Sequence, residues 1–127
     1  MAKEIDELVE KYWGQVEVES AGYEQAYVNP PISYDPATLV LVVPRGMLQE
    51  FSQKRGKKQG LPDPVEFWKE TKLLDRLRRF DKTPHGSGIS YYLKEVLDYL
   101  EGEVDAEYQE LNNSDLVRLT ISEPIET

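Results

Sequence analysis

The sequence predicts a small single α+β domain over residues 1–127, with a mainly antiparallel sheet of about five short strands and about four helices. Two patterns of apolar residues alternate along the chain, one with the roughly 3.6-residue period of helices and one with the two-residue period of strands. Predicted hairpins lie near both ends, with one continuous apolar run between them. The length of 127 residues fits one domain.

The N-terminal part predicts one helix followed by a hairpin. Residues 3–13 carry the apolar stripe of an amphipathic helix, which consists of Ile5, Leu8, Val9 and Tyr12. Residues 16–19 alternate between valine and glutamate, and residues 23–28 contain β-favouring tyrosine and valine, which predicts two paired strands. Three prolines within residues 29–36 exclude regular structure from the connection that follows.

The most apolar run of the chain, residues 38–43, predicts the central strand. Its continuous pattern is typical of a strand that is covered on both faces. Pro44 ends this strand, and a short helix follows, whose apolar side consists of Met47, Leu48 and Phe51. Residues 53–60 contain no apolar side chain, so an exposed loop is expected there.

A longer helix is predicted from Asp63 to about Phe80. Asp63 is a suitable cap, Pro64 suits the first turn, and Glu66 completes a capping box. The expected buried side of this helix consists of Phe67, Leu74 and Leu77, flanked by Leu73 and Phe80.

The last part of the chain predicts one helix and one hairpin. Residues 89–100 have the clearest helical periodicity in the sequence. Residues 104–108 and 117–121 then alternate between apolar and polar side chains, which is typical of half-buried strands. Residues 112–115 read Asn-Asn-Ser-Asp and supply the turn between them.

The charge changes sign twice along the chain, within an overall net charge of −9. Residues 1–43 hold 2 basic and 8 acidic side chains, residues 44–85 hold 11 and 6, and residues 86–127 hold 2 and 10. The basic middle is either neutralised by its own acidic flanks or left accessible to an anionic partner. The sequence leaves both possibilities open.

Composition excludes several classes of site. The absence of cysteine excludes disulfide frameworks, zinc ribbons and thiol nucleophiles. The single histidine excludes any site that needs two imidazoles in one chain, which leaves carboxylate-bound Mg²⁺ or Ca²⁺ as the metal chemistry still open. No glycine-containing calcium loop accompanies the carboxylates, so no metal or other cofactor is predicted. No apolar run is long enough to span a membrane, and the first residues lack the apolar stretch of a signal peptide. We therefore expect a cytoplasmic protein with no membrane partner.

Basic residues in the middle of the chain form a candidate phosphate-binding cluster, because nearby glycines let an anion approach the backbone. The cluster consists of Arg45, Lys54, Arg55, Lys57 and Lys58. Arg76 and Arg79, near the end of the 63–80 helix, extend this basic surface. Candidates for stacking on bases are Phe67, Trp68 and Tyr91. The alternative interpretation is a solubilising loop beside a helix whose aromatic residues belong to the core.

His85 and Ser87 lie in a glycine-containing segment just before the 89–100 helix. Small residues and the positive end of a helix dipole are suited to an anion pocket, to which a protonated histidine adds a donor. The alternative is an ordinary turn with a capped helix start. His85 is also the one candidate for a general base, which is the weakest of the functional hypotheses.

Carboxylates alternate along the predicted strand that follows residue 102. Glu103, Asp105 and Glu107 are therefore expected on one exposed face. Such a row complements a basic surface on another protein, although a solvated strand face has the same pattern.

The leading hypothesis is a small acidic non-enzymatic interaction protein of the inhibitor, adaptor or viral accessory or structural type. It docks its charged surfaces on a macromolecular partner, for which a protein is the first expectation. The second hypothesis is nucleic-acid or phosphorylated-ligand binding through the basic 45–58 loop and the Arg76–Lys82 helix end. The third is an enzyme that uses His85. A homodimer is also open, because short hairpins leave strand edges for pairing.

Overall fold

The computed structural model describes residues 2–22, 36–56, 60–80, 82–83, 89–111 and 115–124. In this part of the chain five α-helices and four strands are present, which confirms the α+β class and differs slightly from the expected counts. The helices are α1 (Ala2–Tyr12), α2 (Arg45–Lys54), α3 (Pro64–Glu70), α4 (Leu73–Arg79) and α5 (Ile89–Tyr99). The strands are β1 (Glu17–Gly22), β2 (Thr38–Pro44), β3 (Asp105–Glu110) and β4 (Leu116–Ser122). A 3-10 helix, Trp13–Gln15, follows α1.

The four strands form one antiparallel sheet with the order β1-β2-β4-β3. β2 is an interior strand, as expected, but the prediction that both of its faces are covered is wrong. Leu39, Leu41 and Val43 are buried, whereas Val40 and Val42 are only half-buried. The reason is that buried side chains of all five helices join one cluster with the inward residues of the strands. We call the other side of the sheet the outer face.

The structure describes both strands of only one of the two predicted hairpins. β3 and β4 form the predicted C-terminal hairpin, whose turn residues 112–114 lie outside the described part. β1 pairs with β2 along Glu17–Gly22. Residues 23–28, the second strand of the predicted N-terminal hairpin, lie outside the described part.

The predicted 63–80 helix is two helices, α3 and α4. Asp63 caps its start as expected, because a carboxylate oxygen of Asp63 accepts hydrogen bonds from the backbone amides of Val65 (2.8 Å) and Glu66 (3.1 Å). The Glu66 carboxylate, predicted to complete a capping box, instead accepts a hydrogen bond from Arg55. The helix is then interrupted at Lys72, whose backbone is in the left-handed region with φ of 55°. The buried Thr71 hydroxyl donates to the Phe67 carbonyl at 2.6 Å, a side-chain contact that competes with continuation of the helix.

Candidate functional site

Two of the candidate phosphate-binding arginines are held by carboxylates of this chain. Arg45 begins α2, and its guanidinium contacts Glu110 of the edge strand β3. Arg55 follows α2 and donates from Nε to Glu66 at 3.1 Å, while its Nη1 lies 2.8 Å from a carboxylate oxygen of Glu70. An anion must compete with these carboxylates for either guanidinium.

Two of the three arginines of α4, Arg76 and Arg78, are also paired. Arg76, whose side chain is only 14% exposed, lies 2.7 Å from Glu10 of α1. Arg78 bridges to α5 through Asp98 (2.8 Å) and Glu101 (2.6 Å), and these contacts raise its pKa, the Glu101 hydrogen bond most. Carboxylates of both acidic flanks thus neutralise arginines of the basic middle across the fold.

Three lysines near the basic loop, Lys54, Lys69 and Lys72, have no carboxylate of the described residues within ion-pairing distance. Lys54, which was predicted for the site, shares a groove of about 370 Å³ with Lys69 and Lys72. Glu4 and Asp6 of α1 also line this groove, so its charge is mixed. The helical periodicity did not single out the two additional lysines, because it treats residues 63–80 as one helix and misses the break at Lys72.

Four predicted site residues, Lys57, Lys58, His85 and Ser87, lie outside the described part of the chain. Arg79 is exposed at the end of α4.

Two of the predicted base-stacking residues are core residues. Phe67 is fully buried, packed edge-on to Phe51 with ring centroids 5.2 Å apart, and Trp68 is 2% exposed. A stacking role for either is therefore wrong, and the Tyr91 side chain lies outside the described part. Trp13 and Phe80 instead lie together near the surface, with centroids 6.3 Å apart. Sequence periodicity had assigned Phe80 to the flank of the core.

Carboxylates on the outer face lie on both edge strands. Asp105 and Glu107 of β3 are exposed and are paired in register with Ser122 and Thr120 of β4. Glu103, the third predicted member, is exposed but precedes the strand. On the opposite edge, exposed Glu17 of β1 pairs with Val42 of β2. The sheet order therefore adds a second acidic edge, which the β3 pattern alone did not predict.

Arg118 of β4 is the basic side chain at the centre of this face. It donates to both carboxylate oxygens of Glu19, from Nε at 2.5 Å and from Nη2 at 2.8 Å, and from Nη1 to Gln109 at 2.8 Å. Hydrogen bonding by Arg118 lowers the pKa of Glu19. A β-bulge between Val18 and Ser20 accommodates Glu19, and the Glu19 side chain of β1 extends across β2 to Arg118 of β4. The arginine is thereby fixed in one orientation.

A shallow groove of about 260 Å³ lies along the β3 side of the outer face. Its lining residues are Asp105, Ala106, Glu107, Thr120 and Ser122. The groove combines two carboxylates with two hydroxyls, which are suited to accept hydrogen bonds from a cationic or amide-rich ligand.

No group of three or more metal-ligating side chains occurs among the residues that the structure describes. Within the same ranges, no helix has both the length and the apolar character that a membrane crossing requires. Comparison with protein-family models, with curated proteins and with solved structures finds no match to this chain.

Proposed function

We propose that this chain is a non-enzymatic binding protein that docks a basic protein partner on the outer face of its sheet. The observation that carries the proposal is the placement of carboxylates on both edge strands of a face that the described helices leave uncovered. Glu17 lies on one side, beside the Glu19 that Arg118 already holds, and Asp105 and Glu107 lie on the other.

The centre of this face offers apolar surface that a partner can bury, in addition to the charges at its edges. Half-buried Val40 and Val42 lie between the two acidic edges, next to Thr120. Binding interfaces combine a poorly charged centre with a polar rim. The one charged side chain at the centre of this face among the described residues, Arg118, is neutralised by Glu19, and the unpaired carboxylates lie at the rim. Acidic rims raise the association rate with a basic surface and disfavour wrong partners. The same charges disfavour pairing of two copies through this face.

The paired arginines favour this proposal over phosphate binding through the 45–58 loop. Arg45, Arg55 and Arg76 are each engaged by carboxylates of the same chain. Displacing those carboxylates subtracts from the free energy of binding any anion. The enzyme hypothesis depends on His85, outside the described residues, and no contact on these surfaces favours it.

Two neutralised variants with the same net charge test the proposal. The face variant carries Glu17→Gln, Asp105→Asn and Glu107→Gln. The control variant carries three equivalent substitutions on exposed positions of α1, namely Glu4→Gln, Asp6→Asn and Glu7→Gln. Each protein serves as bait in a quantitative pull-down from the native host, and the captured partner is then purified and its Kd measured.

A basic partner is expected to be captured by the wild type and the control variant, and its Kd should weaken about tenfold or more with the face variant. Equal loss with both variants would show that net charge, and not this face, drives the interaction. Equal retention by both would place the interface elsewhere.

A further inference from the structure

An aromatic pair lies outside the core, where α4 ends near the start of β1. Phe80 is 51% exposed, and the half-buried Trp13 packs against it with an interplanar angle of 64°. The edge-to-face contact holds the Phe80 ring in place. A large aromatic ring that is held in place and half exposed is a suitable platform for another flat group.

Three cationic side chains surround these two rings. Lys82 Nζ lies 4.9 Å and Arg76 Cζ lies 5.8 Å from the centroid of Trp13, and Arg79 Cζ lies 5.9 Å from that of Phe80. The Lys82 carbonyl accepts a hydrogen bond from the Val18 amide at 3.1 Å, which fixes this segment against the edge of β1. The rings and the cations are therefore positioned by the fold and not only by sequence proximity.

The three cations differ in availability. Arg76 is bound to Glu10, and both Arg76 and Arg79 line a groove of about 530 Å³ with carboxylates of α1 and α4. Acidic and basic side chains are equal in number in that groove, so its interior is a poor anion site, and Arg79 contributes to the proposed site through the guanidinium that lies beside Phe80. Arg79 and Lys82 have no carboxylate of the described residues within ion-pairing distance. They are the cations that can meet phosphates, while Arg76 positions Trp13.

We propose that Trp13, Phe80, Arg79 and Lys82 form a site for single-stranded nucleic acid, in which a base stacks on Phe80 and Arg79 and Lys82 bind the adjacent phosphates. Stacking on aromatic side chains beside basic residues is the common chemistry of such sites. A duplex does not offer an unstacked base, and an acidic peptide made of carboxylate side chains has no flat ring to stack on Phe80. This site is independent of the outer face of the sheet.

Fluorescence anisotropy of a labelled oligothymidylate at low salt tests the stacking component. Phe80→Ala should weaken binding about tenfold, within the range of one stacked base. Phe80→Leu retains apolar volume but has no ring, and its affinity for the oligothymidylate should fall nearly as much. Agreement between the two variants shows that the loss of affinity does not come from a folding defect of the alanine variant. Tyr99→Ala removes another exposed ring, on α5, and should have no effect. An abasic oligomer of equal length should bind the wild type as weakly as thymidylate binds Phe80→Ala.

The salt dependence of the same Kd tests the phosphate contacts. Arg79→Gln combined with Lys82→Gln should lower the slope of log K against log salt by about 1.4, or about 0.7 for each phosphate contact. Lys69→Gln combined with Lys94→Gln changes the net charge equally at exposed positions on α3 and α5 and should leave the slope unchanged.

Three results would overturn the site. One is the absence of an anisotropy change with the wild type at low salt. Another is equal binding of the abasic and thymidylate oligomers. The third is binding of a labelled oligoglutamate with equal affinity, which would assign the surface to acidic peptides.

Discussion

Replacing Lys72 with glycine is expected to stabilise the protein. Lys72 has φ of 55° and ψ of 36°, in the left-handed region that side chains with a Cβ disfavour. Its backbone amide donates to the Lys69 carbonyl and its carbonyl accepts from the Asp75 amide, so both hydrogen bonds persist when the side chain is removed. The side chain itself is exposed.

The magnitude follows from two opposing terms. A non-glycine residue in this conformation costs about 1–2 kcal/mol, which glycine avoids. Glycine also has a larger conformational entropy in the unfolded chain, which destabilises the folded protein by about 0.4–1 kcal/mol and reduces the gain. The expected net gain for Lys72→Gly is about 0.5–1 kcal/mol in the free energy of unfolding, or a rise in Tm of about 2–4 °C for a chain of this size.

Urea denaturation followed by circular dichroism measures this gain, with two matched variants. Lys72→Ala removes the side chain but keeps the Cβ, so it should bring no comparable gain. Lys69→Gly places glycine at an exposed position within α3 and should cost about 1 kcal/mol. If Lys72→Gly costs as much as Lys69→Gly, residue 72 is helical and the single 63–80 helix of the sequence prediction is correct.

Three further substitutions test local contacts. Ser52→Ala should raise the free energy of unfolding by about 1 kcal/mol, because the buried Ser52 hydroxyl has no hydrogen-bond partner among the described residues; a loss of stability would contradict this. Asp63→Ala should lower the free energy of unfolding by about 1 kcal/mol because it removes the α3 cap, and Asp63→Asn should keep most of the stability that the cap provides. Hydrogen bonds from Lys11 and Tyr12 lower the pKa of Glu50, so the stability they add is present at neutral pH and is lost as the pH falls through that lowered value. Glu50→Gln should thus lower the urea midpoint at pH 7, and its difference from the wild type should shrink in acid; a pH-independent difference would contradict the assignment.

Elements with a local physical cause were predicted correctly. The Asp63 cap depends on a carboxylate two and three residues from the amides that it accepts from, and the periodicity of α5 lies within one continuous segment. The β3–β4 hairpin joins neighbours in the sequence. Short-range patterns contain the information that these features need.

Features that depend on distant residues were predicted poorly. The pairing of β1 with β2 joins strands that are well separated in the sequence, and alternation within one strand does not report which strand lies beside it. The break at Lys72 interrupts an apolar periodicity that continues on both sides of it. The aromatic pair of Trp13 and Phe80 joins two segments that no motif connects, so the sequence did not reveal it.

The sequence by itself determined the elements with local signals and the alternation of charge along the chain. Only the tertiary structure decided which of those charges meet. Arg45 and Glu110 are 65 positions apart in the chain, and Arg76 pairs with Glu10 of the opposite flank. Coulomb attraction falls with distance in space and is screened within about 10 Å, so chain packing decides which arginines are neutralised. The same packing leaves carboxylates exposed at both edges of the sheet, and it places exposed Arg79 and half-buried Lys82 beside Phe80.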